Sequence, residues 1–224
     1  MQKTEIFESL FENPTPNSAY FMGFFWGDGY FNNKYNGLGM EIVKNDYDYL
    51  EPIFSSVGRW STYYRSRENR QDQATIFASS KFLQTLFTKL NYKNKSNGSH
   101  RLAIEYIPEN LQHYWLRGYF DADGCIYINK KNHTRQFTWC SKYEQDWDFL
   151  VSFLTMHNIS TNIIRRIQKS SQHSVIRGVG WQNCLYLYKF LYPNYIYDNI
   201  GLKRKYDKLS LLISDKSARL DLDI

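Results

Sequence analysis

Cysteine and proline are scarce in this chain, which has three Cys and five Pro among 224 residues. Three cysteines cannot all pair, and none stands in a Cys-x-x-Cys spacing, so we expect neither a disulfide scaffold nor a zinc ribbon. Cys140 and Cys184 are expected to be buried as small hydrophobic residues. A reducing intracellular compartment is expected, without a distinction between an organelle, a phage-infected cell and a bacterial cytoplasm.

Long apolar runs are also missing. No run reaches the roughly 18 apolar residues of a transmembrane helix, so none is predicted. Residues 1–17 carry Glu5, Glu8 and Glu12 and no apolar segment, which argues against a secretory signal or a mitochondrial presequence. Hydrophobic residues nevertheless make up 42% of the chain and aromatic residues 18%, so a sizeable buried core is expected.

The charge is modest and lies mainly in the second half. The formal net charge is +6. Residues 1–108 carry 12 basic and 11 acidic side chains, whereas residues 109–224 carry 16 and 11. This balance only weakly favours an anionic partner, and nucleic acid is one of several candidates.

The chain contains an internal repeat at an offset of 95 residues, between residues 20–31 and 115–126. Both copies hold glycine and aspartate at matching positions: Gly23, Asp28 and Gly29 in the first, and Gly118, Asp123 and Gly124 in the second. Aromatic or aliphatic residues fill most of the other positions. A single Gly-Asp-Gly is usually a turn, but a duplicated pattern in register indicates a function.

The segments that follow each copy repeat the same predicted order of elements. After the first copy we predict a hairpin over 30–43 turning at Asn36-Gly37, a helix over 46–57, strands over 59–66 and 74–79, and a helix over 82–90. After the second copy we predict strands over 125–129 and 136–141, a helix over 146–156, strands over 161–168 and 174–179, and a helix over 184–191.

The predicted fold class is therefore α+β. Two pseudo-symmetric αββαββα modules are expected, over residues 1–98 and 99–224. The polar linker between them lies at about 91–108, and Pro108 marks the entry to the second repeat helix.

Small residues in the two repeat helices predict that these helices pack against each other. Gly23 and Gly27 share one helix face, as do Gly118 and Ala122. Glycine inside a helix costs roughly 1 kcal/mol relative to alanine, so close approach of the helices is the expected compensation. Gly29 and Gly124 are predicted to end the helices in the left-handed conformation.

The same arrangement places Asp28 and Asp123 at the C-terminal ends of two neighbouring helices. A carboxylate is disfavoured there by the helix dipole, and two close carboxylates repel each other. A hard divalent cation, Mg²⁺ foremost, would compensate both effects. Paired carboxylates that hold such a cation are typical of phosphodiester hydrolysis.

The two repeat segments resemble the LAGLIDADG motif of homing endonucleases, in the single-chain, two-motif form. The motif aligns with Phe21 to Gly29 and, more closely, with Leu116 to Gly124; Trp26 replaces the first Asp of the first copy. The resemblance implies that Asp28 and Asp123 are catalytic and metal-binding, with Gly27 and Ala122 at the same metal site. It implies Mg²⁺, with Mn²⁺ or Ca²⁺ as alternatives.

The resemblance further implies a monomer whose antiparallel sheets form a saddle over double-stranded DNA. Such proteins cut both strands of a long target site across the minor groove and leave short 3′ overhangs. A basic residue is expected near each carboxylate: Lys95 and Lys205 are assigned to this role, with Lys93 and Lys203 as near-equal alternatives. The basic residues expected to bind DNA on the saddle are Lys34, Arg59, Arg65, Arg67, Arg70, Lys130, Lys131, Arg135, Arg165, Arg166 and Arg177.

Two other functions are compatible with the resemblance. One is an RNA maturase that assists splicing of its host intron, with that intron RNA as partner. The other is a DNA-binding regulator without a working metal site. The presence of both Asp28 and Asp123 argues against the regulator, and only mildly against the maturase.

Overall fold

Two four-stranded antiparallel sheets, each covered on one face by helices, make up most of the structure. The computed structural model describes residues 4–32, 37–66, 68, 71–92, 98–129, 134–168 and 171–214. No helix within these ranges is long and apolar enough to cross a membrane.

The described residues of the first half form six strands and four helices. In chain order they are β1 (Glu5–Ile6), α1 (Ser9–Glu12), α2 (Pro16–Asp28), β2 (Gly29–Asn32), β3 (Gly37–Val43), α3 (Lys44–Ser55), β4 (Gly58–Arg59), β5 (Ser61–Arg65), β6 (Gln73–Ser79) and α4 (Lys81–Lys89). Helix α2 contains the first repeat segment. Its start is fixed by a reciprocal capping box between Thr15 and Ser18, with Pro16 in the first turn.

The second half begins with α5 (Arg101–Tyr106) and a 3₁₀ turn (Glu109–Leu111). The remaining elements are α6 (Gln112–Asp123), β7 (Gly124–Asn129), β8 (Thr134–Lys142), α7 (Asp148–Met156), β9 (Asn162–Gln168), β10 (Ser171–Val179), α8 (Trp181–Leu191), α9 (Tyr195–Asp198) and α10 (Lys203–Ser214). Helix α6 contains the second repeat segment and follows Pro108 after the 3₁₀ turn.

The two sheets have the same topology. Their strand orders are β2-β3-β6-β5 and β7-β8-β10-β9, so each module follows its repeat helix with the same hairpin–helix–hairpin–helix path. The predicted α+β architecture of two αββαββα modules is confirmed, with bounds shifted by a few residues. One detail is wrong: Gly37 is not part of the turn but pairs with Asn32 inside the first hairpin.

Alternating side chains separate a helix-covered face from an uncovered face of each sheet. In the first sheet, Leu38, Met40 and Ile42 are buried under the helices, as is Ile76 opposite Met40. In the second sheet, Phe137 and Trp139 are buried against α6. The residues between these helix-facing positions lie on the uncovered faces, because successive strand residues point to opposite sides of a sheet.

The repeat helices α2 and α6 pack at backbone contact, as the glycine spacing predicts. A Cβ atom on Gly23 would overlap the carbonyl of Trp115, and one on Gly118 would overlap the carbonyl of Tyr20. Only glycine permits this approach. Bulky residues elsewhere on these helices, including Phe21, Phe25 and Phe120, are all buried.

The glycines that end these helices have a different conformation from the predicted one. Gly29 has φ −72° and ψ 159°, and Gly124 has φ −79° and ψ 148°, so both are extended rather than left-handed. The chain passes directly from each helix into a strand. Glycine is required for space, because a Cβ would overlap Phe25 at the first position and Phe120 at the second.

The segment predicted as a polar linker is partly helical and packed. Ala103, Ile104 and Ile107 are buried, and the Tyr106 hydroxyl donates a hydrogen bond to the Phe11 carbonyl at 2.7 Å. Residues 93–97 lie outside the described residues. The boundary between modules at 98/99 stays a prediction.

Candidate active site and nucleic-acid interface

The four residues assigned to the metal site come together where α2 and α6 end. Asp28 and Asp123 are the last residues of these helices, and both are partly exposed. A Cβ built on Gly27 would lie 2.5 Å from Ala122 Cβ and 3.0 Å from Asp123 Oδ2. The helix crossing therefore brings the two acidic ends into one patch.

Lys205 of α10 lies at the C-terminal end of α6. Its ammonium donates hydrogen bonds to the carbonyl oxygens of Phe120 at 2.5 Å, Asp121 at 2.6 Å and Gly124 at 2.8 Å. These carbonyls carry the negative end of the helix dipole, which a cation stabilises. Burial lowers the pKa of Lys205 to about 8, although the carboxylates of Asp121, Asp28 and Asp123 act to raise it.

The structure separates the two alternatives proposed for this lysine. Lys203 is exposed and pairs with Asp207, one helical turn away, at 2.6 Å. Only Lys205 of the two reaches the end of a repeat helix. Lys93 and Lys95, the alternatives in the first module, lie outside the described residues, so that assignment stays a prediction.

A tyrosine occupies the corresponding place in the first module. The hydroxyl of Tyr92 donates to the Gly29 carbonyl at 2.5 Å, whereas the ammonium of Lys205 donates to the matching Gly124 carbonyl. Within the part of the chain that the structure describes, one helix end is therefore capped by a neutral donor and the other by a cation.

Sequence reasoning missed a buried polar network behind Lys205. Asp121 is 2% exposed, and its Oδ2 accepts hydrogen bonds from the Tyr20 hydroxyl at 2.8 Å and from the Leu202 amide at 2.7 Å. Burial is the largest cause of the raised pKa of Asp121. Tyr20 lies on α2, so this carboxylate joins both repeat helices to the chain that leads into α10.

Arg117 extends this network. Its side chain is fully buried and donates to the carbonyls of Leu191 at 2.6 Å and Ile200 at 2.5 Å, and to Asp198 at 3.2 Å. A charged residue within the largely apolar second repeat was the available signal, because burying an arginine costs free energy unless hydrogen bonds compensate. The network fixes the segment that precedes Lys205.

Trp26 replaces the first Asp of the motif in the first copy, and aromatic side chains surround it. It packs against Trp115 at a ring distance of 5.7 Å and against Tyr92 at 5.2 Å. Trp26 matches Asp121, and Trp115 matches Tyr20, at the repeat offset. The first module therefore replaces a buried hydrogen bond with an aromatic pair, and the exposed acids are unaffected.

Three of the predicted DNA-binding arginines lie on the uncovered faces. Arg65 pairs in register with Gln73, Arg166 with His173, and Arg177 with Thr138. Arg177 follows the buried, helix-facing Ile176, and Arg65 and Arg166 share the uncovered side by their pairing register. Two arginines of the second face thus lie on adjacent strands of one sheet.

The structure places three other predicted DNA-binding residues away from the uncovered sheet faces. Arg59 lies in the separate β1–β4 ribbon, where it pairs with Glu5 at 3.6 Å. Arg135 is 5% exposed and shares the helix-covered side of β8 with buried Phe137. Arg165 points to the same side of its sheet and donates to the carbonyl of Tyr143. Arg135 and Arg165 face the helices because side chains alternate along a strand, and Arg59 lies outside the sheet because the pairing breaks before β5.

The remaining basic assignments, Lys34, Arg67, Arg70, Lys130 and Lys131, lie outside the described residues. Among the cysteines, Cys184 is buried as predicted, but Cys140 is exposed. Cys140 lies on the uncovered face because it follows the helix-facing Trp139 in β8.

No family model matches the chain. It is 29% identical over 129 residues to an uncharacterized protein of Methanocaldococcus jannaschii, covering 54% of this chain and 46% of that protein. Two further relatives come from the same organism. An ATP-dependent DNA helicase Hel308 is 25% identical, over 90% of this chain and 16% of the helicase. A replication factor C small subunit is 26% identical, over 91% of this chain and 10% of the subunit. The chain thus spans less than half of each relative, and the shared segment is a small part of two differently named proteins.

The solved structures with similar folds include LAGLIDADG homing endonucleases. The homing endonuclease I-WcaI bound to its DNA recognition sequence has a TM-score of 0.60 and 19% identity, over 85% of both chains. The LAGLIDADG homing endonuclease I-GzeII in complex with its DNA target has a TM-score of 0.56 and 12% identity, over 93% of this chain and 92% of its own. I-DmoI in complex with DNA and Ca has a TM-score of 0.55 and 13% identity, over 88% and 97%.

A DUF199/WhiA protein shares the fold as well, with a TM-score of 0.54 and 14% identity, over 91% of this chain and 62% of its own. The structural neighbours thus confirm the resemblance at the level of the fold: the chain has the LAGLIDADG homing endonuclease fold.

Proposed function

We propose that this chain is a site-specific endonuclease that cuts double-stranded DNA with the help of a divalent metal ion. The observation that carries the proposal is the meeting of Asp28 and Asp123 at the ends of two helices in backbone contact. A buried ammonium, Lys205, lies beside this pair. The description of neighbouring structures as homing endonucleases bound to DNA supports it.

The two carboxylates fit a hard cation whose remaining ligands come from the substrate and water. Among the described residues, no group of three or more His, Cys, Asp or Glu side chains is placed to hold a metal. Two carboxylates therefore leave coordination positions for phosphate and water oxygens, which Mg²⁺ prefers. Asp28 and Asp123 would hold the metal, with Gly27 and Ala122 beside them, and the neighbour described with Ca is compatible with this.

A bound divalent cation supplies positive charge to the phosphodiester transition state. Asp28 and Asp123 would hold such a cation at the ends of the two helices. Lys205 offsets the partial negative charge of the carbonyls at the end of α6, which reduces the repulsion between the helix dipole and the Asp123 carboxylate. As the resemblance to the LAGLIDADG motif implies, each of the two acids would act on one strand across the minor groove and leave a short 3′ overhang.

The uncovered faces of the two sheets would hold the duplex on either side of the acidic patch. Arg65, Arg166 and Arg177 supply phosphate or base contacts there. Two sheets on one chain predict a monomer that binds a long, asymmetric site. A host intron RNA finds no support in the comparisons, whose nucleic-acid complexes are described with DNA.

Selection from a randomised duplex library tests the proposal. Purified protein is incubated with the library and Mg²⁺, and the cut ends are sequenced. Recurrent ends at one long sequence, with a short 3′ overhang and no product when Mg²⁺ is withheld, are expected. A library that stays uncut under Mg²⁺ and Mn²⁺, together with stronger binding to structured RNA than to duplex DNA, would contradict it.

A further inference from the structure

The two uncovered sheet faces differ in chemistry although their backbones match. On the first face, the charged side chains among the described strand residues are Arg65 and Glu41, which cancel. On the second face they are Lys142, Arg166 and Arg177, all basic. Among the described strand residues, the first face is therefore neutral and the second is cationic.

At the centre of the first face, aromatic rings lie directly over two glycines. Gly37 and Gly39 lie on the uncovered side of β3, and a Cβ on either would overlap a ring, Phe77 above Gly37 and Tyr30 above Gly39. In the second sheet the matching positions of β8 are Gln136 and Thr138. A side chain with hydrogen-bonding groups thus stands at each place where the first face has only a ring over glycine.

These rings line an open cavity of about 620 Å³ on the first face. Tyr30 and Asn32 approach it from β2, Phe77 from β6, and Trp60 and Tyr63 from the other edge. Tyr63 is 56% exposed, so its ring is available to a ligand. Its lining combines four aromatic residues with the polar side chains of Asn32, Ser61 and Thr62.

The bases present different chemical groups at their major-groove edges, and different side chains recognise them. Guanine offers two acceptors, which arginine or lysine reads, whereas thymine offers a methyl group, which apolar and aromatic side chains contact. Aliphatic residues such as Ile164 and Val175 occur on the second face too, but they stand beside Arg166 and Arg177. A described arginine occurs on the first face only at its edge, at the end of β5.

We propose that the two modules read different base chemistry: the first discriminates thymine methyl groups through Tyr30, Tyr63 and Phe77, and the second discriminates guanines through Arg166 and Arg177. This assignment rests on the proposed DNA-binding function. It makes the target asymmetric, with methyl-dependent A·T positions in one half-site and guanine-dependent positions in the other.

Single-atom base analogues test the assignment on the selected target. Deoxyuridine in place of thymidine removes only the methyl group, and 7-deazaguanine in place of guanine removes only the N7 acceptor. Affinity is measured by gel shift with the divalent metal withheld. We expect each contacted deoxyuridine to weaken binding about threefold to fourfold in one half-site, and each contacted 7-deazaguanine to weaken it about fivefold or more in the other.

Neighbouring residues provide matched controls. Tyr63→Ala should abolish the deoxyuridine effect at the thymines that Tyr63 contacts and leave it at those read by Tyr30 and Phe77, whereas Tyr64→Ala, equally exposed at 57% but on the helix-covered side of β5, should preserve it at every position. Arg166→Ala should abolish the 7-deazaguanine effect at the guanine that Arg166 contacts, and Arg165→Ala, on the opposite side of β9, should preserve it at every position. Circular dichroism of each variant verifies folding.

The outcomes distinguish this assignment from the function on which it rests. Failure to bind any duplex would overturn both. A bound target that responds to deoxyuridine equally in both half-sites, or that responds the same way in Tyr63→Ala as in Tyr64→Ala, would overturn only the assignment.

Discussion

Arg204 of α10 forms an ion pair with Asp46 of α3, in which Arg204 Nε lies 2.7 Å from Asp46 Oδ1. The pair joins the second module to the first. The next residue along α10 is Lys205, whose ammonium lies at the end of the second repeat helix. The first module thereby helps to position a charged group beside Asp123.

We expect Asp46→Asn to lower the cleavage rate more than the affinity for DNA. The neutral amide releases Arg204, and the start of α10 loses one of its restraints. Because Arg204 is 58% exposed, the loss of folding free energy should stay below about 1 kcal/mol. Single-turnover cleavage and chemical denaturation measure the two effects separately. Restored cleavage in the charge-swapped pair Asp46→Arg with Arg204→Asp would support positioning, and unchanged cleavage in Asp46→Asn would contradict it.

Lys205→Met should remove cleavage and leave DNA binding in place. The ammonium supplies charge next to the acidic patch, and loss of one such group typically costs about 10²- to 10³-fold in rate. Lys203→Met is the matched control, since Lys203 pairs with Asp207 at the surface. Cleavage of the selected duplex under saturating protein is the measurement. Equal rates for the two variants would argue against a role for Lys205.

Gly23→Ala should destabilise the fold by about 2 kcal/mol or more, despite the higher helix propensity of alanine. The added methyl group meets the Trp115 carbonyl, so α2 and α6 must separate. Gly180→Ala is the comparison. Gly180 has φ 96° and ψ 158°, and no atom lies within 4 Å of an added Cβ, so only backbone strain of about 1–3 kcal/mol is expected there. A Gly23→Ala variant as stable as wild type in urea would contradict the helix packing.

Acid should destabilise the protein through His100. This imidazole is fully buried among Trp26, Trp115, Tyr119 and Trp147, and burial lowers its pKa to about 3. The unfolded chain binds a proton below about pH 6.5, and the folded chain does not, so stability is complete above that pH and falls as the pH drops from 6.5 towards 3.

The expected slope from His100 is at most about 1.4 kcal/mol per pH unit, or about 2 kcal/mol of lost stability at pH 5. His113 and His157 also have lowered pKa values, so the difference between wild type and His100→Phe isolates this residue. Urea denaturation at pH 7.5 and pH 5 measures it. Identical pH dependence in the two proteins would contradict the assignment.

The fold and the acidic pair could be predicted from the sequence because both depend on local residue patterns. Glycines at positions 23 and 118 predicted the helix contact, and period-2 runs predicted the paired strands. Individual strand residues were harder. Arg165 and Arg166 are neighbours of the same type, and only the register of β9 shows that Arg166 lies on the uncovered face.

The network around Asp121 could not be predicted for another reason. Its partners, Tyr20 and Leu202, come from segments about 80 to 100 residues away, so no spacing in the sequence links them. The extended conformation of Gly29 was equally inaccessible. A glycine needed for space and a glycine needed for a left-handed backbone look the same in a sequence.

The most direct test of the account compares single-turnover cleavage and binding of the selected duplex by Asp28→Asn, Asp123→Asn and Asp48→Asn. Asp48 is an exposed acid paired with Lys44 at 2.6 Å, away from the helix ends, and serves as the control. We predict that the first two variants lose strand scission by at least about 10²-fold and keep their affinity within a few fold, while Asp48→Asn cuts normally. Cleavage of both strands at the wild-type rate by Asp28→Asn or by Asp123→Asn would contradict the shared acidic site.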